Sequence, residues 1–435
     1  FYTKQVTKFV NGKVLFFIYS HLDNFEIEFH NIWSMIYRNF ENIIKTALQF
    51  FPCVTLTGAR QTGKTTLLKS MLPNYNYISL DLPSIASMAE ETPDAFFEKY
   101  KTPLIIDEVQ YAPKLFRYLK DKLDQNRHEM GQLVLTGSQK FELMKNLSES
   151  LTGRTAILEL EGLSWDEFKN YHTDEEANFE KFIIRGGFPE LTREPNLPLD
   201  MFFSSYLATY LERDVRQLVN VSNLRTFEQF IRLLAIRNTN QLDMTDIANN
   251  LGISSKTVAS WVSVLETSGQ ITLLQPYFGN YGKRIVKTPK IYFNDTGLLC
   301  WLLGIEEENL KSSPFIGNII ETVVFAELRK KNKLNNNKKQ IYYYRDVSQT
   351  EVDFFVLGNG CKMIEVKNSV NPKSDAAQGI KKLYDRFLQQ GKIPSELDPL
   401  SFYIACNTPA NYNMEVSTSE KPINVKVVNI KYLEV

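Results

Sequence analysis

The stretch Gly58-Ala59-Arg60-Gln61-Thr62-Gly63-Lys64-Thr65 fits the pattern G-x-x-x-x-G-K-[ST] at every position. Residues of these types at this spacing suit one task, the cradling of a polyphosphate. The glycines let the backbone curl so that its N–H groups point at phosphate oxygens. Lys64 offers a cation to the β and γ phosphates, and Thr65 offers a hydroxyl to Mg2+. The helix that opens at Lys64 adds a favourable dipole. Residues 58–66, Thr66 included, are the expected binding stretch for ATP. A chance glycine-rich turn is the competing reading. The flanks argue against it, because an apolar run, Cys53–Thr57, leads in and a helical run, Lys64–Met71, leads out.

A partner for this loop lies downstream. Leu104-Ile105-Ile106-Asp107-Glu108 is an apolar strand that ends in two carboxylates. Asp107 is expected in the Mg2+ shell, and Glu108 is expected to orient and activate the attacking water. A solvated loop start is the alternative for this pair, and the buried-type strand before it speaks against that. The next apolar run, residues 132–136, leads to Thr136-Gly137-Ser138. Ser138 is the first candidate for a contact to the γ-phosphate or the water, and Thr136 the second. A plain polar turn explains the same residues equally well. Arg154, in Leu151-Thr152-Gly153-Arg154, could reach the ATP of a neighbouring subunit as an arginine finger. An ordinary surface ion pair is the alternative.

These residues need a scaffold, and the pattern supplies one. Apolar runs at residues 53–57, 77–80, 104–106, 132–136 and 156–160 alternate with helical stretches at residues 64–71 and 114–125. That alternation indicates a parallel sheet covered on both faces. Beyond Leu160 the chain reads as mostly helical to Arg237, interrupted by Gly186-Gly187 and Pro189. Ile247, Ala248 and Leu251 then mark one short helix, and Val258, Val262 and Leu265 a second, with Gly252 between them and Gly269 as a cap. Followed by the strand-like residues 271–274, this reads as a winged helix. Its outward face holds Ser255, Lys256, Ser260 and Ser263, a thin cationic supply for DNA. Lys283, Arg284, Lys287 and Lys290 add to it. DNA contact and a packing or oligomerisation role both stay open.

The loop, the Asp-Glu strand, Leu135-Thr136-Gly137-Ser138 and Leu151-Thr152-Gly153-Arg154 follow one another in an order that resembles prokaryotic ATPases of the AAA superfamily. The likeness continues in Arg185-Gly186-Gly187-Phe188-Pro189-Glu190 and Tyr210-Leu211-Glu212-Arg213-Asp214-Val215, and spans nearly the whole chain from Met35. Such ATPases pair the AAA domain with a nuclease-like C-terminal domain of unknown function. Here Glu321 falls in an amphipathic helix, Asp353 on one strand-like run, and Glu365 and Lys367 on another, two apart and so on one face. The set is similar to the PD-(D/E)XK nuclease fold. That resemblance implies Mg2+ held by Asp353 and Glu365, completed by Glu321, with Lys367 beside the attacking water. A degenerate relative that keeps the fold without cleavage is the alternative, as is a surface ion pair between Glu365 and Lys367.

The expected fold is therefore α/β: a P-loop AAA-type parallel sheet with a helical lid, a winged helix, then an α/β restriction-endonuclease-like domain. The expected units are residues 35–162, 163–237, 238–299 and 313–435, with residues 1–34 an extension or an over-called start. At 435 residues the chain has room for several domains. With 50 basic and 50 acidic residues it does not suit non-specific nucleic-acid binding. Four scattered cysteines suggest free thiols in a reducing cytoplasm, four histidines give no zinc-type cluster, and no apolar run is long enough to span a bilayer. The expected activity is hydrolysis of ATP to ADP and phosphate with Mg2+. DNA and further copies of the chain are candidate partners. The rivals are a nucleotide-gated DNA nuclease and an ATP-binding adaptor for DNA or protein that does not cleave.

Overall fold

The computed structural model describes residues 35–137, 151–173, 177–210, 224–277, 287–390 and 393–433. It also describes the backbone of an antiparallel hairpin, β1 (Lys4–Val10) and β2 (Lys13–Tyr19). Helix α1 (Glu41–Phe50) leads into β3 (Cys53–Thr57), the loop, and α2 (Lys64–Met71). Then come β4 (Asn76–Ser79), α3 (Pro83–Glu91), α4 (Pro93–Lys99), β5 (Leu104–Asp107), α5 (Leu115–Gln125), β6 (Leu133–Gly137) and β7 (Thr155–Glu159). These strands form one parallel sheet in the order β4-β5-β6-β3-β7.

The three inner strands, β3, β5 and β6, are buried at every position, which is why they read as unbroken apolar runs rather than as alternation. One face packs on Phe96, Phe116, Leu119 and Leu123, the other on Ile44, Leu67 and Leu68. The strand edges differ by a residue from the sequence expectation at β4, β5, β6 and β7. Helices α3 and α4, each opened by a proline in its first turn, were not singled out in the sequence.

A helical region follows: α6 (Trp165–Tyr171), α7 (Phe179–Arg185), α8 (Pro189–Arg193), α9 (Leu199–Tyr210) and α10 (Leu224–Ile236). Ser164 caps α6 through a capping box with Glu167. Next, α11 (Met244–Leu251) and α12 (Ser255–Thr267) meet at Gly252, which takes a left-handed conformation. A two-stranded antiparallel ladder, β8 (Ile271–Leu274) with β9 (Lys290–Phe293), leads to α13 (Thr296–Leu302).

The last part begins with α14 (Ile316–Leu334). An antiparallel meander follows, β10 (Gln340–Arg345), β11 (Glu351–Gly358) and β12 (Gly360–Val366), then α15 (Gln378–Gln389). Strand β13 (Leu400–Cys406) lies parallel to β12. β14 (Tyr412–Val416) and β15 (Ile423–Asn429) complete a sheet ordered β10-β11-β12-β13-β15-β14. One apolar core runs from Trp165 through Trp261 and Tyr292 to Phe354 and Leu433. The units drawn after residue 163 therefore share a continuous interior.

The Arg185-Gly186-Gly187 stretch lies at the tightest point of that interior. Asp295 accepts the Gly187 N–H at 2.7 Å and caps α13 through Leu298. A side chain at Gly186 would meet Asp295 Oδ1 at 2.2 Å, and its φ of +73° suits glycine. Gly186→Ala is therefore expected to cost about 2–4 kcal/mol, read as a fall in the unfolding midpoint. An unchanged midpoint would mean that this contact relaxes freely.

Candidate functional site

The loop between β3 and α2 owes its shape to two glycines. Gly58 has φ +144°, and a Cβ there would overlap the Leu160 carbonyl oxygen at 2.1 Å. Gly63 has φ +87° and starts the helix. Lys64 is buried, and its ammonium donates to the carbonyls of Gly58 and Ala59, each at 2.9 Å. The chain thus holds the cation over its own loop.

Asp107, at the end of β5, gathers hydroxyls. Thr65 donates to it at 2.7 Å, Tyr77 on β4 at 2.8 Å, and Thr136 on β6 also donates to it. Burial and the Asp107 contact push the Tyr77 phenol well above its usual value. Thr65 and Asp107 are hard oxygen donors that fit a magnesium ion. Glu108 sits in the left-handed region, at φ 55°, and accepts from the Gln110 amide. Lys64, Thr65 and Glu108 share a cleft of about 440 Å³ with Arg60, Gln61, Gly63, Thr66, Tyr206 and Thr209. A second cavity, about 320 Å³, adjoins the loop. Its lining includes Met35, Ile36, Leu67 and Pro189, with Glu190 and Arg193 among its polar residues.

Arg38 braces the loop from behind. It donates to the Thr62 carbonyl at 2.9 Å and the Glu161 carbonyl at 2.6 Å, and faces Glu167 at 3.2 Å. The far end of α14 reaches the same wall. Arg329 pairs with Glu161 at 2.6 Å and Lys333 with Glu159 at 2.8 Å, and Lys333 also pairs with Glu161. Those cations outweigh burial and hold the Glu161 carboxyl well below its usual range.

A second set of charges lies between α14, β9, β11 and β12. Glu365 pairs with Lys367 at 2.8 Å, and Asp353 accepts the Val366 N–H at 2.7 Å. Lys290 of β9, almost fully buried, stands 3.2 Å from Glu321 and 2.5 Å from Glu351. Tyr292 donates to Glu321 as well. Burial, with repulsion from Asp353, raises Glu365 and Glu321 above the usual carboxyl range, against the pull of Lys367 and Lys290 respectively. Burial alone would lower Lys290, but Glu321, Asp353 and Glu351 overcome it and keep the ammonium charged. A side chain at Gly379 would strike the Glu351 carbonyl oxygen at 1.9 Å and Glu365 Oε1 at 2.3 Å, so only glycine fits against this set.

A family model described as an AAA domain matches residues 51–169. Two models described as domains of unknown function, DUF8612 and DUF4143, match residues 176–309 and 316–425. An uncharacterised protein of Mycobacterium tuberculosis is 30% identical over 342 residues, 76% of this chain and 73% of its own length. The chain belongs to the AAA-type P-loop ATPases. An uncharacterised relative from Methanocaldococcus jannaschii is 25% identical over 344 residues, 72% of this chain and 74% of its own. A solved Walker-type ATPase of Pyrococcus abyssi aligns with a TM-score of 0.43 at 15% identity, over 62% of this chain and 96% of that one.

In this AAA-type ATPase, Lys64, Thr65, Asp107 and Glu108 come together, and Thr136 joins them through Asp107. Ser138 lies outside the described residues, as do residues 211–215 of the quoted motif. Arg154 stands at the amino end of β7, whereas the loop follows the carboxyl end of β3. There Arg154 makes a two-pronged ion pair with Asp124 at 2.7 and 2.8 Å. Glu365 pairs with Lys367, Lys290 joins Glu321 to Glu351, and Asp353 lies close enough to act on Glu321 and Glu365 by charge.

One expectation needs correction. Lys290 is not part of a basic surface, because β9 is buried on both faces and carries its ammonium inward. Lys283 and Arg284 lie outside the described residues. The implied metal set also meets an obstacle. Among the described residues no three acidic, histidine or cysteine side chains stand together as a metal cage, and two ammonium groups lie against Glu321 and Glu365. The residues present do not fit a divalent ion at that place. Sequence reasoning missed Arg38, Tyr77 and Glu351, and it misplaced Lys290. The signal for Lys290 was the Lys290–Phe293 run itself, apolar on both faces after its lysine. All four cysteines are buried and free, and among the described residues no helix is long and apolar enough to cross a membrane.

Proposed function

We propose that this chain hydrolyses ATP to ADP and phosphate with Mg2+ at the loop of residues 58–66, acting on or near DNA through its C-terminal units. The observation that carries the ATPase reading is the Thr65 hydroxyl bonded to Asp107 at the mouth that Lys64 and Glu108 share. Lys64 would leave the Gly58 and Ala59 carbonyls for the β and γ phosphates as ATP enters. Loop N–H groups and the start of α2 would bind the remaining oxygens. Thr65 and Asp107 would hold Mg2+, which supplies positive charge to those oxygens when bound. Tyr77 and Thr136 would fix the Asp107 carboxylate. Glu108 would accept the proton of the attacking water, and Ser138 or Thr136 would steady that water or the γ-phosphate.

The winged-helix reading is supported by the α11, Gly252, α12 and β8–β9 succession. The nuclease-like reading is supported by the helix, meander, helix, parallel-strand order of α14, β10–β12, α15 and β13. The outward face of α12 is exposed at Ser255, Lys256, Ser260 and Ser263, with little charge to neutralise phosphates. A second reading, an ATP-binding adaptor for DNA or protein that does not cleave, is favoured by Lys290 seated among the acids. Phosphate release with and without DNA, run beside cleavage of labelled DNA, tests both. Release with no cleavage is the expected result. Cleavage that requires ATP would replace these readings with a nucleotide-gated nuclease.

Assembly gives a further test. If Arg154 serves a neighbouring subunit, ATP drives oligomers, and Arg154→Ala lowers turnover while ATP affinity holds. Light scattering that finds a fully active monomer removes Arg154 from the catalytic set.

A further inference from the structure

We propose that the Lys290 ammonium is the resident cation of the acid cluster in the C-terminal part, filling the place of a divalent metal and locking β9 onto the last sheet. This rests on the reading of Glu321, Asp353, Glu365 and Lys367 as a nuclease-like set. It departs from that reading in what the set binds.

Three observations carry it. First, Lys290 is 3% exposed and reaches Glu321 from α14 and Glu351 from β11 at once. A buried charge is tolerated only when it is paired, and here the pairing comes from two elements outside its own unit. Second, the lysine is held by its backbone. It pairs with Leu274 in the β8–β9 ladder and forms a bridge with Gln241. The chain just past β8 joins the last sheet, with Tyr277 N–H bonded to the Tyr343 carbonyl at 2.7 Å and Tyr343 N–H to the Gln275 carbonyl at 3.2 Å. The Tyr343 ring lies 5.4 Å from the ammonium. Third, the remaining acids already have partners: Lys367 lies 2.8 Å from Glu365 and Asp353 accepts a backbone N–H, while Glu351 has Arg345 at 2.7 Å besides Lys290. A divalent ion brought here would face a fixed like charge on an almost fully buried lysine, where repulsion is little screened.

The test is Mn2+ uptake by the full chain without nucleotide, followed by calorimetry and by thermal unfolding. Asp107→Asn is present throughout to silence the ATP site. The chain with Lys290 is expected to take up no Mn2+ at the cluster. Lys290→Met is expected to create one site, bound at least ~10-fold more tightly than any uptake with Lys290 present, and to unfold at a higher temperature when Mn2+ is added. Adding Asp353→Asn abolishes both effects. Lys290→Arg, which keeps the charge, stays closed to Mn2+. Uptake by the chain with Lys290 that Asp353→Asn removes would overturn the lock and leave the metal reading standing. That measurement decides even if Lys290→Met does not fold. A folded Lys290→Met chain that takes up no Mn2+ would overturn both, since the cluster would then hold no metal in any form.

Discussion

Lys64→Ala abolishes ATP binding, weakening it by at least ~100-fold. Truncating one side of a buried charge-to-charge contact costs about 2–5 kcal/mol, which covers that loss. Lys64 is buried at the floor of the loop, so solvent screens it little. The alanine also strips the Gly58 and Ala59 carbonyls of their shared donor, which strains the empty loop. Titration with a fluorescent ATP analogue reads the affinity, and a melting curve checks that the chain is folded. A folded Lys64→Ala protein with unchanged affinity would remove residues 58–66 from the nucleotide site.

Glu108→Gln separates binding from turnover. The variant is expected to hold ATP normally yet release phosphate at least ~100-fold more slowly, the scale of a lost general base. The substitution keeps size and shape, so the left-handed turn at φ 55° is unchanged and only the basic oxygen goes. Thr65 and Asp107 keep their contact, which is why affinity is expected to persist. Single-turnover phosphate release with the protein in excess over ATP gives the rate. Near-normal release would mean that another group activates the water.

Much of the ATPase half was legible because its signals are local. The loop motif lies within a few consecutive residues. Strands β3, β5 and β6 announce themselves as apolar runs because both faces of a parallel sheet are covered. For the C-terminal acids, spacing gave only that Glu365 and Lys367 lie two apart, and their grouping with Glu321 and Asp353 came from the resemblance. What escaped were contacts across long sequence separations. Arg38 supports the loop through Thr62 and Glu161, and nothing near Arg38 in the chain marks it. Tyr77 reads as an ordinary strand tyrosine until β4 lies beside β5. Lys290 was grouped with nearby basic residues by composition, while its place is decided by Glu321 and Glu351, far along the chain.

Helix α14 spans 19 residues, about 28 Å of rigid backbone at 1.5 Å per residue. Its last turns are pinned by Arg329 and Lys333 to the strand end beside the ATP loop, and Glu321 near its start is pinned to Lys290. A helix does not stretch the way a loop does. It therefore behaves as a connecting rod with a bearing at each end. It sets a fixed spacing between residues 159–161 and Lys290, which a flexible tether of equal length would leave free.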